Sequence, residues 1–479
     1  MPRVGSGALE GGGGGPSSGG GGGGGGGAGK PLPSLVDEIE AVLAALAARL
    51  HPNMQRPAPC VRAWLGALGG GGAGDGASAG AGSGDGGGDS PSASSGGASA
   101  GASSGASAGS AALWAGLPPA VDAGSLGMGL STRLSAKKRA KAAAARDEGK
   151  VAARVARKRW QVESFLAVLR PLLEDTAAGA PGRPPPRVVD FGCGTGNLLL
   201  PLAALFPGCA FTGVDMKPAA LALLRERAAA AGLRNVSAWE GMIERFDAPF
   251  DVALALHACG NATDHVLALA AERRAAFVVS PCCVGKLKFS MTGGSSFHSR
   301  PVAWTPSQPG DAPVRRGGGA ADGGSSAARP AAQAGAAEPG EPAGPAAGVG
   351  ADVAARLQHP RSCWLRRELP DPEAHFRTMA RVADIAHAPA DQAALGAALA
   401  ARAAVADSCK RFVELDRCAA AAEAGFAVGL FKVIGAEAMA KNDLLVGVPC
   451  GGAGARDDLQ ARALVARGLL LTAAELGLA

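Results

Sequence analysis

The chain has no tyrosine, and aromatic residues make up only 4% of its 479 positions. Long tracts hold little besides Gly, Ser, Ala, Pro and Asp, and 74 residues are glycine. That bias reads as GC-rich coding as much as physics, so a single Ala or Gly says less here than in an ordinary chain. The apolar fraction of 47% is worth less for the same reason, because much of it is alanine. No uncharged apolar run reaches the roughly 18 residues that span a bilayer, so no membrane partner is expected. The first residues, MPRVGSGALEGGGGG, contain neither a signal-peptide apolar core nor an Arg-rich amphipathic helix. The ten cysteines follow no regular framework. Free thiols in a reducing cytoplasm are expected, not disulfides. The sequon at Asn261 is then a chance match.

What is present comes in blocks. Residues 1–30 are rich in glycine and are expected to be disordered. PSLVDEIEAVLAALAARL (33–50) has the spacing of an amphipathic helix, with Ser34 as its N-cap and acids in its first turn. VRAWLGAL completes a short helical segment over 31–68, and residues 69–130 read as a Gly/Ser/Ala linker. Residues 131–180 read as a basic helical segment. Between Ser131 and Trp160 eleven Lys or Arg face only Asp147 and Glu148, a net +9 against +6 for the whole chain. Such charge makes either a solvated helical face or a contact for nucleic acid or an acidic partner. Towards the end of the segment, Val155, Val162, Leu166, Leu169 and Leu173 recur at helical spacing and are expected to pack on a core.

From Arg187 the pattern alternates. RVVDF, AFTGVD, NVSAWE, FDVALALH and AAFVVSPCC read as strands, with helices at 196–206, 218–232 and 261–273 between them. Short apolar runs alternating with helices predict an α/β fold, a mostly parallel sheet covered on both faces. Residues 181–289 make the first part of this domain. Residues 290–354 break the pattern and are expected to form a disordered insertion, and 355–479 supply the second part and a C-terminal extension. Near the end, GFAVGLFKV and NDLLVGVP are separated only by IGAEAMAK, too short for a crossover helix, so they should pair as an antiparallel hairpin. A parallel sheet closed in this way is the Rossmann-like architecture of class I S-adenosylmethionine (SAM) methyltransferases.

The stretch VVDFGCGTGN makes a tight turn between the first strand and its helix. Gly192, Gly194 and Gly196 permit unusual φ angles and a close backbone approach to a ligand, and the helix N-terminus faces that ligand. A dinucleotide fingerprint places its third glycine one residue later, where this chain has Asn197. Asp190 would also repel a pyrophosphate across a low-dielectric gap. SAM has no phosphate, and its ammonium and sulfonium suit an acid. Asp215, at the end of the second strand, is placed to accept both ribose hydroxyls. Glu240, Met242 and Ile243 are placed to flank an adenine, although Met242 or Ile243 alone also fits ordinary core.

Two further stretches, LHACGNATD and VSPCCVGK, lie at carboxyl ends of parallel strands, where ligands bind in such sheets. Methylation of a base amino group commonly uses Asn or Asp followed by two prolines and an aromatic here, and neither stretch has that. His257 is the candidate general base, with a loop hydrogen bond as its structural alternative. Thr263 or Asp264 caps the next helix, or Asp264 orients His257 or a substrate group. His257, Cys259, Cys282 and Cys283 lack the C-x₂-C spacing of structural zinc sites, so buried thiols are preferred and no metal is expected.

VVDFGCGTGN, LHACGNATD, VSPCCVGK, HPRS, the terminal KND and the preceding RKRWQVESF resemble the methyltransferase domain of the glutathione S-transferase C-terminal domain-containing protein family. LHACGNATD is more distantly similar to a segment of a eukaryotic tRNA ribose 2′-O-methyltransferase family. The resemblance covers about 150–290 and 355–450. It implies a cytoplasmic class I SAM-dependent methyltransferase, with Asp190, Gly192, Gly194 and Asp215 as cofactor residues. It also implies that His257, Cys259, Gly260, Thr263 and Asp264 form a signature loop. Residues 1–130 are too glycine-rich to build the helical domain found upstream in that family, so glutathione binding is not implied. The expectation is a SAM-dependent methyltransferase acting on tRNA or rRNA, which it contacts through basic residues 133–159. The alternatives are a protein or small-molecule methyltransferase and a SAM-binding scaffold with little activity.

Overall fold

A computed structural model describes residues 32–62, 108–122, 148–177, 184–292, 357–384, 397–439, 442–450 and 455–478. Its strands are β1 (Arg187–Phe191), β2 (Ala210–Asp215), β3 (Val236–Glu240), β4 (Val252–Leu256), β5 (Ala276–Ser280), β6 (Phe426–Lys432) and β7 (Asp443–Pro449). They form one seven-stranded sheet in the order β3-β2-β1-β4-β5-β7-β6. Strands β1 to β5 run parallel, and β7 enters antiparallel between β5 and β6. The β6–β7 connection holds only a 3-10 turn at Ala436–Ala438, so the expected hairpin forms. Every residue of β5 and β7 is buried, as their unbroken apolar runs require. Gly447 makes their pairing possible, because a Cβ there would enter the ring of Phe277. Strand order reverses between β1 and β4, which opens a crevice at their carboxyl ends.

Among the described residues, the helices longer than four residues are α1 (Leu32–Arg49), α2 (Ala108–Ala115), α3 (Glu148–Ala177), α4 (Leu199–Leu205), α5 (Pro218–Ala230), α6 (Ala262–Arg273), α7 (Cys363–Glu368), α8 (Pro372–Val382), α9 (Ala397–Glu423) and α10 (Ala455–Ala466). They divide between the two faces. On one face Ile39, Val266, Phe376 and Phe412 of α1, α6, α8 and α9 share a core with Phe191 and Phe277. On the other, Phe165, Leu199, Leu224 and Leu464 of α3, α4, α5 and α10 pack with Phe211 and Val278. Of the α3 residues expected in the core, Val162, Leu166, Leu169 and Leu173 are buried and Val155 is half-buried.

Several local expectations are corrected. Helix α1 begins at Leu32, so Ser34 lies inside it and the first turn carries no acid. Nor does α1 stand apart: Val36, Ile39, Leu43 and Leu46 join the main core, and residues 59–61 hydrogen-bond to Lys432 on β6. Residues 108–122, read as linker from their composition, make α2 and a turn that dock on α3. Trp114 Nε1 and Ser110 Oγ both donate to Glu163 Oε1, at 2.8 and 2.6 Å. Arg159 pairs with Asp122 at 2.6 Å and covers the Trp114 ring. Three anchoring side chains, Ser110, Trp114 and Asp122, make these contacts, and a Gly/Ala count cannot see them. Helix α4 begins at Leu199, not 196, because the glycine turn occupies the preceding residues. The glycine-rich start, residues 63–107, the basic residues 133–146 and the expected insertion from 293 on lie outside the described residues. Among the described residues, no helix is long and apolar enough to cross a membrane.

Candidate active site

The turn after β1 is held by backbone bonds. Gly192 N and Cys193 N donate to Val214 O at 2.8 and 3.0 Å. Gly192, Gly194 and Gly196 have φ of 73°, 57° and 81°, the left-handed region that disfavours side chains. Their surroundings differ. A Cβ at Gly196 would enter the Leu224 and Leu200 side chains, whereas Gly192 and Gly194 face open space and line a pocket. Gly196 therefore serves packing, and the other two serve access.

Asp215 lies 8% exposed at the end of β2. Its Oδ2 accepts from Gly194 N at 2.9 Å and its Oδ1 from Lys217 N at 3.0 Å. This carboxylate thus holds the glycine turn in shape. Glu240, its register partner on β3, and Met242 just beyond are half-buried. Gly196, Asp215, Glu240 and Met242 are not in the pocket lining, which Asp190, Gly192 and Gly194 share with Lys158, Gln161 and His257.

Asp190 is only 2% exposed, and its Oδ2 has no hydrogen-bond partner. Burial, and then the charge of Asp215, push its pKa well above the ordinary carboxylate value. A buried carboxyl facing a pocket without a partner lacks a cation. The ammonium of SAM supplies that charge, so the residues present fit SAM.

Arg227 of α5 had no role in the sequence reading, yet it ties the turn together. It is 5% exposed and donates to Ala120 O, Val121 O, Thr195 O and Asn197 Oδ1. Burial lowers its pKa to about 10, against the opposing pull of Asp122. One guanidinium thereby joins the docked 108–122 segment to the glycine turn.

The opposite wall comes from β4 and α3. His257 follows β4 with φ of 66°, and its N donates to Ser280 O at 3.1 Å. Its side chain is exposed to the pocket, and its Nε2 lies 3.2 Å from Gln161 Nε2. An amide nitrogen only donates, so in this contact the imidazole nitrogen accepts. Lys158, one turn earlier on α3, lines the same wall. Burial, then Arg154 and Arg227, lower its pKa. Charge and periodicity assigned α3 to packing and polyanion contact, so Lys158 and Gln161 were missed as pocket residues.

Asp264 is engaged by α9. It is 1% exposed, and Arg417 of α9 donates to it in a two-pronged pair, Nε to Oδ1 and Nη2 to Oδ2, each at 2.9 Å. Burial raises its pKa, but the charge and hydrogen bonds of Arg417 win and hold it down to about 2. Arg417 also donates to Gly260 O at 3.1 Å and Glu414 Oε2 at 3.0 Å. Asp264 and Thr263 lie inside α6, whose N-cap is Asn261, so neither is the cap. Thr263 Oγ1 donates to Ala258 O at 2.6 Å. Both residues therefore fix the loop that presents His257. Beside that loop the thiols of Cys259, Cys282 and Cys283 converge within 4.8 Å.

Residues 157–289 match the family model described as a methyltransferase domain. The matched span takes in the glycine turn, the pocket, the His257 loop and all three thiols. The sheet order and closing hairpin give this domain the class I fold. The glutathione S-transferase C-terminal domain-containing protein of Xenopus laevis is 34% identical over 145 residues, 30% of this chain and 22% of that protein. Its mouse (Mus musculus) counterpart is 37% identical over 103 residues, 22% of this chain and 16% of that protein. The release factor glutamine methyltransferase of Deinococcus radiodurans is 44% identical over 68 residues, 14% of this chain and 24% of that enzyme. The chain thus spans less than a quarter of the length of these curated relatives. Among solved structures, PKMT2 from Rickettsia typhi in complex with AdoHcy is 22% identical with a TM-score of 0.21, covering 27% of this chain and 28% of that one.

Proposed function

We propose that the protein is a SAM-dependent methyltransferase that modifies RNA, tRNA or rRNA, in the cytoplasm. One observation carries the choice of acceptor. The helix that lines the pocket beside His257 is the one that continues the basic run, so Lys158 brings positive charge, and Gln161 brings His257, to one mouth. Of that run, Arg154 is exposed, while Arg159 is committed to Asp122. A polyanion drawn to this face would meet the methyl-transfer position. The ten free cysteines suit a reducing compartment.

Asp190 and the amides of the Gly192–Gly194 turn would hold SAM, which when bound supplies an electrophilic methyl group on a sulfonium. His257 receives the proton of the attacking acceptor hydroxyl or amine. Gln161 occupies the lone pair of His257 Nε2 until an acceptor takes its place. The Asp264–Arg417 pair keeps the loop rigid and does not touch the acceptor.

A protein acceptor is the second reading, favoured by the likeness to a release factor glutamine methyltransferase. Against it, β4 runs into Leu256-His257-Ala258-Cys259, without the Asn or Asp and two prolines common in amide-nitrogen methylation.

The test is incubation of the full chain with methyl-labelled SAM and fractionated RNA and protein extracts. Label in nuclease-sensitive material supports the proposal, and label in protease-sensitive material moves the protein to the second reading. SAM binding without transfer to either pool would make it a scaffold. Asp190→Asn should weaken SAM binding about tenfold or more, since a charged hydrogen bond is worth about 1.5–3 kcal/mol. His257→Ala should cut turnover by about 10²–10⁴ while leaving SAM affinity unchanged.

A further inference from the structure

The three thiols beside the His257 loop have no part in the reading above. Cys259 follows β4, and Cys282 and Cys283 follow its parallel neighbour β5. Cys259 Sγ lies 3.0 Å from Cys282 Sγ, and Cys282 Sγ lies 3.6 Å from Cys283 Sγ. All three sulfurs fall within 4.8 Å of one another. Two backbone bonds zip the loops that carry them: His257 N to Ser280 O and Gly260 N to Cys283 O, each at 3.1 Å. From below, Arg417 holds Gly260 O and Thr263 holds Ala258 O. The sulfurs are thus brought together by a frame of backbone and buried side chains.

We infer that Cys259, Cys282 and Cys283 bind one zinc ion, which pins the His257 loop to the end of β5. Tetrahedral zinc with Zn–S bonds of about 2.3 Å sets its sulfurs about 3.8 Å apart. Two of the separations, 3.0 and 3.6 Å, fall just short of that value and the third is within 4.8 Å, so shifts of about an ångström bring all three into place. Three soft sulfur ligands select zinc or copper(I) over hard cations, and a fourth tetrahedral position is left for water. Cys259 and Cys283 are only half-buried, which gives an ion a way in. Cys282 Sγ donates its hydrogen to Cys283 Sγ, so a bound ion displaces that proton. Loading zinc therefore releases up to three protons to solvent, and affinity rises with pH. The C-x₂-C spacing of structural zinc sites places paired ligands on one short turn. Here they come from the ends of two neighbouring parallel strands.

The site does not depend on the identity of the methyl acceptor. The test uses the full chain, equilibrated with zinc chloride, freed of excess metal by gel filtration and analysed for bound zinc. One equivalent is expected. Cys259→Ser and Cys282→Ser should each lose it, while Cys363→Ser, at an exposed cysteine on α7, should retain it. Cobalt(II) in place of zinc should give a thiolate charge-transfer absorption with the same dependence on residue. A readout on the unaltered chain guards against unfolded variants. Zinc should protect Cys259, Cys282 and Cys283 from N-ethylmaleimide, as mapped by mass spectrometry, and a chelator should remove that protection. No retained zinc, equal alkylation with and without zinc, or a Cys259–Cys282 disulfide in protein kept under glutathione would each overturn the inference.

Discussion

The two loops that flank the pocket are supported in different ways, and each support acts as a wall behind it. The turn after β1 is held by backbone: three glycines at positive φ, with the Asp215 carboxylate accepting two main-chain N–H groups. The His257 loop after β4 is held by distant side chains, with Arg417 reaching back 153 positions to Asp264. The first wall depends on which residues lack a Cβ. The second depends on a balance of buried charge among Asp264, Arg417 and Glu414, whose Oε1 has no hydrogen-bond partner. A local wall should yield to small steric changes, and a long-range wall to changes of charge.

The largest effect tests the second wall. Arg417→Leu strands two buried carboxylates and should cost about 3–5 kcal/mol in denaturant unfolding. A loss under about 1 kcal/mol would mean that this cluster does not hold the loop.

Next comes pH. His359 stacks on Phe376 at 5.4 Å with neither ring nitrogen bonded, and burial lowers its pKa from 6.5 to about 4. The unfolded chain therefore takes up this proton first as the pH falls. The stability that His359 contributes is whole above pH 6.5 and is lost on descending towards pH 4, by about 3 kcal/mol. Asp416, which burial pushes up to about 6, acts in the opposite sense, its contribution being lost as the pH rises. The difference between wild type and His359→Leu, followed from pH 7 to pH 4, isolates the histidine. A constant difference would mean that the ring is not shielded from water.

The third prediction separates the glycines of the first wall. Gly196→Ala meets Leu224 and Leu200 at a strained φ and should cost about 2–4 kcal/mol, whereas Gly194→Ala carries only the strain, about 1–2 kcal/mol. Equal thermal unfolding losses would remove the distinction between packing and access.

The smallest effect sharpens the contrast in charge. Arg187 and Asp251 make the same two-pronged pair as Arg417 and Asp264, at 3.1 and 3.0 Å, but both stand in solvent. Arg187→Ala should cost no more than about 1 kcal/mol and less as salt is added.

The parallel strands, the closing hairpin and the glycine turn were legible because each is a short-range pattern. Apolar runs, turn residues and a gap too short for a crossover are all visible in a few consecutive positions. Asp190 was legible for the same reason, as an acid beside a turn. The docked 108–122 segment was not, because a chain biased towards Ala and Gly hides Trp114 and Asp122 among residues that carry no signal. The strand-end position of Asp215 was legible, but its two backbone partners were not, since a carboxylate at a strand end looks the same whether it waits for a ligand or holds a loop. Lys158, Gln161, Arg227 and Arg417 were missed because each sits on a helix whose own pattern explains it fully.

By itself the sequence determined the class I architecture and the acid beside the glycine turn, since these follow from residue period and backbone freedom within a few positions. Tertiary structure alone decided that Asp264 pairs with Arg417. It alone decided that α3 forms a wall of the pocket, and that three cysteines without a metal-binding spacing share one place. The physical reason is common to all three. Whether a charged or sulfur-bearing side chain meets water, a partner or an ion depends on the packing of elements far apart in the chain, and spacing along the sequence does not record that distance.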